Sequence, residues 1–310
     1  MDYSIVEDTS TSMGIRFVTP GKPAGGNPAL HRKAAFGTPR DFLENHFVYV
    51  VVSERARGLS VGVNMNPDKL CDYDCVYCEV ERRGSPSETR LDVELMAREL
   101  KSTLALIAAD ALKKNSHYAF LNPDLRQLRH VTLSGDGEPT LSPQFNEALQ
   151  AVVHLRALGT IPFFKLVLAT NGSGLNREEV QQGLKLLTRQ DEIWIKLDGG
   201  TQTYLNKVNR GSVSLGLTLH NILMLARRRP VVIQSLFPAI QGKEPPEEEV
   251  EQYAFRLREL KEHGAQIPLV QIYSCTRPTI RAECTHLPLR SLSSIAQRVR
   301  KISGLPTEVF

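Results

Sequence analysis

From about residue 59 onward, short apolar runs alternate with stretches of helical period, and this alternation restricts the chain to a parallel β/α architecture. Six runs read as strands: 59–65, 131–134, 164–170, 193–198, 231–237 and 268–274. Parallel strands need crossovers, and residues 90–113 offer the clearest one, with Leu91, Leu95, Leu100, Leu104, Ile107 and Ala111 on one face. Ser142 and Pro143 read as N-cap and first residue of the next helix, and Asn176 with Glu179 as a capping box for the one after. Six units are too few to close a full barrel. The expected fold is therefore α/β, a partial (β/α)6 barrel of parallel strands over residues 58–310, ending in a C-terminal helix. Residues 1–57 differ: the run 20–28 is rich in Pro and Gly and cannot hold a helix or a central strand. This region reads as an irregular N-terminal extension that wraps the domain or covers its mouth.

In such folds the reactive end lies at the carboxyl ends of the strands. The chemistry-bearing segments fall there. Cys71, Cys75 and Cys78, spaced C-x3-C-x2-C, follow the first strand. Zinc sites pair knuckles, and the nearest histidines, His46 and His117, lack that spacing, so an iron-sulfur cluster is the better reading. Five cysteines in a 310-residue chain do not suggest a disulfide framework, because a chain this long buries a sizeable core without staples. Three thiolates on a [4Fe-4S] cube leave one iron with an open position, and an open metal position suits catalysis.

The other strand ends carry polar groups. Gly135, Gly137 and Glu138 follow the second strand, Thr170 and Asn171 end the third, Lys196 and Asp198 end the fourth, and Gln234 lies on the fifth. Glycine lets backbone approach a neighbour closely. Lys196 and Asp198, two residues apart on a strand, share the inward face, where ionisable groups need a partner or a ligand. A structural ion pair and a ligand contact are the two readings. Arg277 ends the sixth strand, where its guanidinium would either clamp an anionic substrate group or form a surface salt bridge. Cys275 and Cys284 read either as ligands of a second cluster or as buried free cysteines.

The cysteine spacing resembles the signature of the radical S-adenosylmethionine (radical SAM) enzymes. The resemblance extends to the segment 134–141 (SGDGEPTL), to Ala169-Thr170-Asn171-Gly172, to the segment 194–199 (WIKLDG) and to Val270-Gln271-Ile272-Tyr273, in that order. Over roughly residues 58–303 the series most resembles the subgroup that includes the wybutosine-pathway tRNA enzymes. The resemblance implies a [4Fe-4S] cluster on Cys71, Cys75 and Cys78, with its fourth iron chelated by SAM. It implies cofactor contacts from Tyr77, Gly135, Gly137, Glu138, Thr170, Asn171, Lys196, Asp198 and Gln234, and catalytic roles for Lys196, Asp198 and Arg277. Tyr77 would approach the adenine or pack beside the cluster; Glu138 would receive the methionine amino group or tie its own loop together. The reaction implied is reductive cleavage of SAM to a 5'-deoxyadenosyl radical, which takes a hydrogen atom from a substrate.

The implied partners are a low-potential electron donor of flavodoxin or ferredoxin type and a small-molecule substrate or a tRNA base. The wybutosine enzymes carry further N-terminal cluster cysteines, and no cysteine precedes Cys71 here, so a single-cluster enzyme is expected. A net charge of +4 permits an acidic partner without demanding one. The densest basic run, Arg227-Arg228-Arg229, ends a helix, where cations meet the helix dipole. No apolar stretch has membrane-spanning length and no signal pattern opens the sequence, so a cytoplasmic location is expected. The alternative from another class is a non-catalytic iron-sulfur or zinc protein of electron transfer or binding.

Overall fold

A computed structural model describes residues 42–53, 55–81, 90–277 and 279–310. The six apolar runs form the parallel strands expected of them: β2 (Gly58–Asn64), β3 (Leu128–Ser134), β4 (Lys165–Thr170), β5 (Glu192–Lys196), β6 (Val232–Leu236) and β8 (Leu269–Tyr273). β2 is buried along its whole length, as a strand covered on both faces must be. Two edge strands complete a curled, eight-stranded half-barrel in the order β1-β2-β3-β4-β5-β6-β8-β10. β10 (Thr307–Val309) adds in parallel to β8, and β1 (Val48–Ser53) is antiparallel to β2, pairing Val48 with Val63. A small antiparallel pair, β7 (Ala239–Ile240) with β9 (Cys284–Thr285), sits apart from this sheet.

The crossovers are α1 (Val93–Ala108), α2 (Phe145–Ala157), α3 (Glu178–Leu184), α4 (Gln202–Val208), α5 (Leu215–Ala226), α6 (Glu247–Glu262) and the terminal α7 (Leu289–Ser303). α1 buries Met96, Leu100, Leu104 and Ile107 against the sheet. It is shorter than the run 90–113. Asp92 accepts from the Leu95 amide at 2.9 Å and caps the start, while Asp110 at φ 49° turns the chain into a separate 3₁₀ turn, Ala111–Lys114. Among the described residues no helix is long and apolar enough to cross a membrane.

Several local expectations need correction. Ser142 is not an N-cap: the Glu138 carboxylate accepts from the Thr140 amide and sets up a 3₁₀ turn, Pro139–Leu141, so Ser142 closes that turn and α2 begins at Phe145. No capping box opens α3, because Glu179 is drawn into an ion pair with Arg177 at 2.5 Å instead. Within the stretch read as irregular, residues 48–53 form β1, a β-branched run whose alternate side chains are buried. The rest of that stretch, residues 1–41 with the Pro- and Gly-rich run, lies outside the described residues. Arg227–Arg229 stand at the end of α5 as expected and satisfy carbonyls: Arg227 Nε donates to His263 at 2.8 Å, and Arg229 to Thr188 and Asp191 at 2.9 and 2.8 Å.

Candidate functional site

The loop after β2 carries the three cysteines and is strapped to its surroundings through backbone. The amides of Asp74 and Val76 donate to the carbonyls of Asn209 and Val208 at the end of α4, at 2.9 and 2.8 Å, and the Glu138 amide donates to the Leu70 carbonyl at 2.8 Å. A Cβ at Gly137 would overlap that carbonyl and come within 2.7 Å of Asn66 Cβ. Gly135, at φ 154°, approaches the end of β2, where a Cβ would stand 2.9 Å from the Met65 nitrogen. Both glycines are thus required first by protein packing against the cysteine loop and the end of β2. A side-chain strap joins the loop to β4: Asn171 Nδ2 donates to Asp72 Oδ1 at 2.7 Å.

Cys71, Cys75 and Cys78 are half-buried, and all three line one cavity of about 210 Å³. The same walls hold Tyr77, Gly135, Gly137, Glu138, Thr170, Asn171, Lys196 and Gln234, so every candidate residue except Asp198 and Arg277 meets there. A larger cleft of about 770 Å³ shares Cys71, Tyr73 and Cys78 with that cavity. Among the described residues no three Cys, His, Asp or Glu side chains already form a metal cage. The donor set nevertheless fits a cluster: three soft thiols and a glycine-containing turn line one cavity.

Behind this cavity sits a closed polar network. Asp198 is 1% exposed; its Oδ1 accepts from the Leu236 amide at 2.8 Å, and its Oδ2 accepts from the Tyr77 hydroxyl and from Asn209 Nδ2, the latter at 2.8 Å. Lys196 Nζ donates to the Tyr77 hydroxyl at 2.8 Å, lies 4.2 Å from the centre of its ring, and is 3.9 Å from Asp198 Oδ2. Burial, with the negative charge of Asp198 beside it, pushes the Tyr77 hydroxyl well above its ordinary range and keeps it a donor. Burial alone would lower the ammonium of Lys196, but Tyr273, Asp198 and Cys75 outweigh it and raise it. Burial likewise raises the Cys75 thiol against the pull of Lys196. The Asp198 carboxylate is therefore held entirely by groups of the chain itself, the arrangement expected of a structural partner.

Glu138 is also fully engaged. Its carboxylate accepts from Thr140 through amide and hydroxyl at 3.1 and 2.6 Å, from the Thr170 hydroxyl, and from the Asn171 amide at 2.7 Å. This is the loop-tying geometry, joining the ends of β3 and β4, and burial raises the carboxyl against these donors. Arg277 pairs with Glu79 at 3.0 Å, each side chain at least 40% exposed, which is the surface salt bridge. Cys275 and Cys284 meet each other at 3.5 Å between sulfurs.

Sequence reasoning missed Asn209. At the C-cap of α4, its Nδ2 stands 2.8 Å from Asp198, 3.1 Å from the Tyr77 hydroxyl and 3.4 Å from Cys75 Sγ. The available signal was an Asn at a helix end directly before Arg210 and Gly211. Asp72 was missed as well, although an acid between two ligand-spaced cysteines was visible.

No protein-family model matches the chain. UPF0026 protein slr1464 of Synechocystis sp. is 28% identical over 177 residues, which are 57% of this chain and 56% of that protein. A UPF0026 protein of Helicobacter pylori is 32% identical over 142 residues, 44% of this chain and 39% of that one. The chain thus spans about half or less of the length of these relatives. Among solved structures, Streptococcus suis SuiB bound to S-adenosylmethionine matches with TM-score 0.54 and 13% identity, over 83% of this chain and 52% of that one. TYW1 with a lysine-pyruvate adduct bound matches with TM-score 0.52 and 15% identity, over 85% and 78%. These two share the fold of this chain.

Proposed function

We propose that this chain is a radical SAM enzyme of oxidoreductase or transferase type, with Cys71, Cys75 and Cys78 as the ligands of a [4Fe-4S] cluster. The observation that carries the reading is convergence: three thiols from one loop and polar groups from the ends of β3, β4, β5 and β6 line a single cavity. An electron carrier needs no such ligand-lined wall. Bound cluster and SAM supply the chemistry, reductive cleavage of the SAM carbon–sulfur bond to a 5'-deoxyadenosyl radical that takes hydrogen from the substrate. The chain's own residues bind, orient and shield. Gly135 and Gly137 bring the β3 turn against the cysteine loop, Glu138 fixes the relation of that turn to Asn171, and Asp198 holds Tyr77 and, through it, Lys196 at the cavity wall. A flavodoxin- or ferredoxin-type donor in the cytoplasm would supply the electron, and the substrate is a small molecule or a tRNA base.

The test is anaerobic reconstitution with iron and sulfide, addition of dithionite and SAM, and measurement of 5'-deoxyadenosine. Wild type is expected to form it and Cys75→Ala is expected not to. A fully loaded cluster that binds SAM but yields no 5'-deoxyadenosine, with or without cell-extract metabolites as substrate, would sink the enzyme reading in favour of binding or electron transfer.

A further inference from the structure

The concave face of the sheet carries a row of polar side chains that the site above only partly uses. Lys196 on β5 is in register with Gln234 on β6, and Gln234 with Gln271 on β8; the two amides pair at 2.8 Å. Tyr273 lies two residues beyond Gln271 and shares its face. Over the Tyr273 ring, 4.3 Å from its centre, stands the guanidinium of Arg55, which comes from the turn between β1 and β2 at the other side of the half-barrel. Arg55 therefore reaches across the opening of the curled sheet. Its contact with the Tyr273 ring puts it on the face of β8 that Gln271 shares.

Among the described residues, charge in this space does not balance. Lys165 and Glu192 neutralise each other at 2.6 Å, and Glu192 also accepts from Trp194 Nε1 at 2.7 Å. Asp198, the nearest carboxylate to Lys196, is 3.9 Å away with both oxygens committed to Leu236, Asn209 and Tyr77. Among the described residues, no carboxylate is within ion-pair distance of the half-buried Arg55. A partly enclosed guanidinium with no anion among the described residues, on the face that also carries the Gln234–Gln271 amide pair and Lys196, suits a ligand that brings the anion.

We infer that the concave face holds a small substrate by a carboxylate or phosphate group, clamped between Arg55 and Lys196 beside Tyr273. This deepens the enzyme reading by naming a substrate class and rests on that reading only for calling the ligand a substrate. The walls set the size: the apolar floor of Val167, Trp194 and Val232 and the cavity beneath the cysteine loop suit a metabolite better than a polymer.

Trp194 is the sole tryptophan of the chain and shares the inward face of β5 with Lys196, so its fluorescence reports on this space without cluster or SAM. The full chain is titrated with 3-phosphoglycerate, succinate and inorganic phosphate, with glycerol as the neutral control. At least one anion is expected to saturate the signal below about 10 mM while glycerol does nothing. Arg55→Gln is expected to weaken that binding about tenfold or more. Arg57→Gln, an equal loss of charge at an exposed position of the same turn, is expected to leave it unchanged. Circular dichroism confirms the fold of each variant, and Arg55→Lys, expected to bind between wild type and Arg55→Gln, provides a second variant.

No saturable binding by any of the three anions, or equal weakening by the Arg55 and Arg57 variants, would overturn the inference. So would Arg55-dependent binding of bulk tRNA with a steep salt slope and none of the small anions. Because this readout needs no cluster, its failure alongside successful 5'-deoxyadenosine formation removes the anionic class and leaves the enzyme reading standing.

Discussion

Asp198 offers the sharpest test of how the site is built, because a ligand contact and a structural clamp predict different consequences for its removal. Its carboxylate is buried and engaged by three donors, the Leu236 amide, Asn209 Nδ2 and the Tyr77 hydroxyl, with the Lys196 ammonium 3.9 Å away. Asp198→Ala leaves the Leu236 amide and the Tyr77 hydroxyl without an acceptor, at about 1–3 kcal/mol apiece, and takes from Asn209 Nδ2 its shortest one. The three share one site and relax together, so their costs do not simply add. Loss of one partner of a buried charged network costs about 3–5 kcal/mol, and that is the expected destabilisation. With an unfolding entropy of about 2.1 cal/mol/K per residue, a chain of this size should lose about 5–8 °C in Tm. Asp198→Asn keeps one acceptor and should lose roughly half as much. The assay is thermal unfolding of the metal-free chain under reducing conditions, followed by circular dichroism. Arg277→Ala serves as control and should move Tm by no more than about 1 °C, because its pair with Glu79 is exposed. A Tm for Asp198→Ala within about 1 °C of wild type would refute the clamp and return Asp198 to the ligand-contact reading.

Gly137→Ala should cost about 1–3 kcal/mol, because the added methyl meets the Leu70 carbonyl, and it should speed reaction of the loop cysteines with a thiol reagent. His130, buried edge-on against Trp194, is pushed down to about 4 by burial and by the positive charges of Lys165 and Arg55, against the opposite pull of Glu192. The native state therefore binds fewer protons than the unfolded chain between about pH 6.5 and 4, and stability is full above that window and falls by about 3 kcal/mol through it. Urea unfolding at stepped pH should show this slope in wild type and a shallower one in His130→Phe. In cluster-loaded protein, Asn209→Ala removes the amide nearest Cys75 Sγ, and a hydrogen bond worth about 1 kcal/mol corresponds to a midpoint potential lower by about 40 mV, read by redox titration. An unchanged potential would show that the amide serves only Tyr77 and Asp198.

Much of this molecule was legible from sequence because its strands are continuous apolar runs that end where the chemistry begins. The cysteine loop, Gly135, Gly137, Glu138, Asn171, Lys196 and Gln234 line one cavity for that reason: strand order alone brings their positions to one end. The two edge strands were not legible for opposite reasons. β10 has three residues, too few to show a period, and β1 follows a turn-rich stretch that masks its β-branched run. Helix starts failed where a side chain from another position took the capping role, as Glu138 did at the turn before α2. Asn209 and Arg55 were invisible because Cys75 lies 134 residues from Asn209 and Tyr273 lies on a strand at the other side of the half-barrel from Arg55, and nothing local marks such a meeting. The two-residue period put Lys196 and Asp198 on one face; β5 ends at Lys196, which lines the cavity, while Asp198 is buried behind it against Tyr77, from another loop.

The backbone straps on the cysteine loop separate two events in the life of this protein. In small metal-dependent domains the metal supplies the energy that folds the chain, so apo and unfolded are the same species. Here the amides of Asp74, Val76 and Glu138 and the Asp72–Asn171 bond hold the loop in place through contacts that contain no metal. If the loop takes up a cluster as proposed, maturation has two stages, a polypeptide that completes its fold and an inorganic centre installed afterwards, and iron starvation should accumulate an intact, protease-resistant precursor rather than debris.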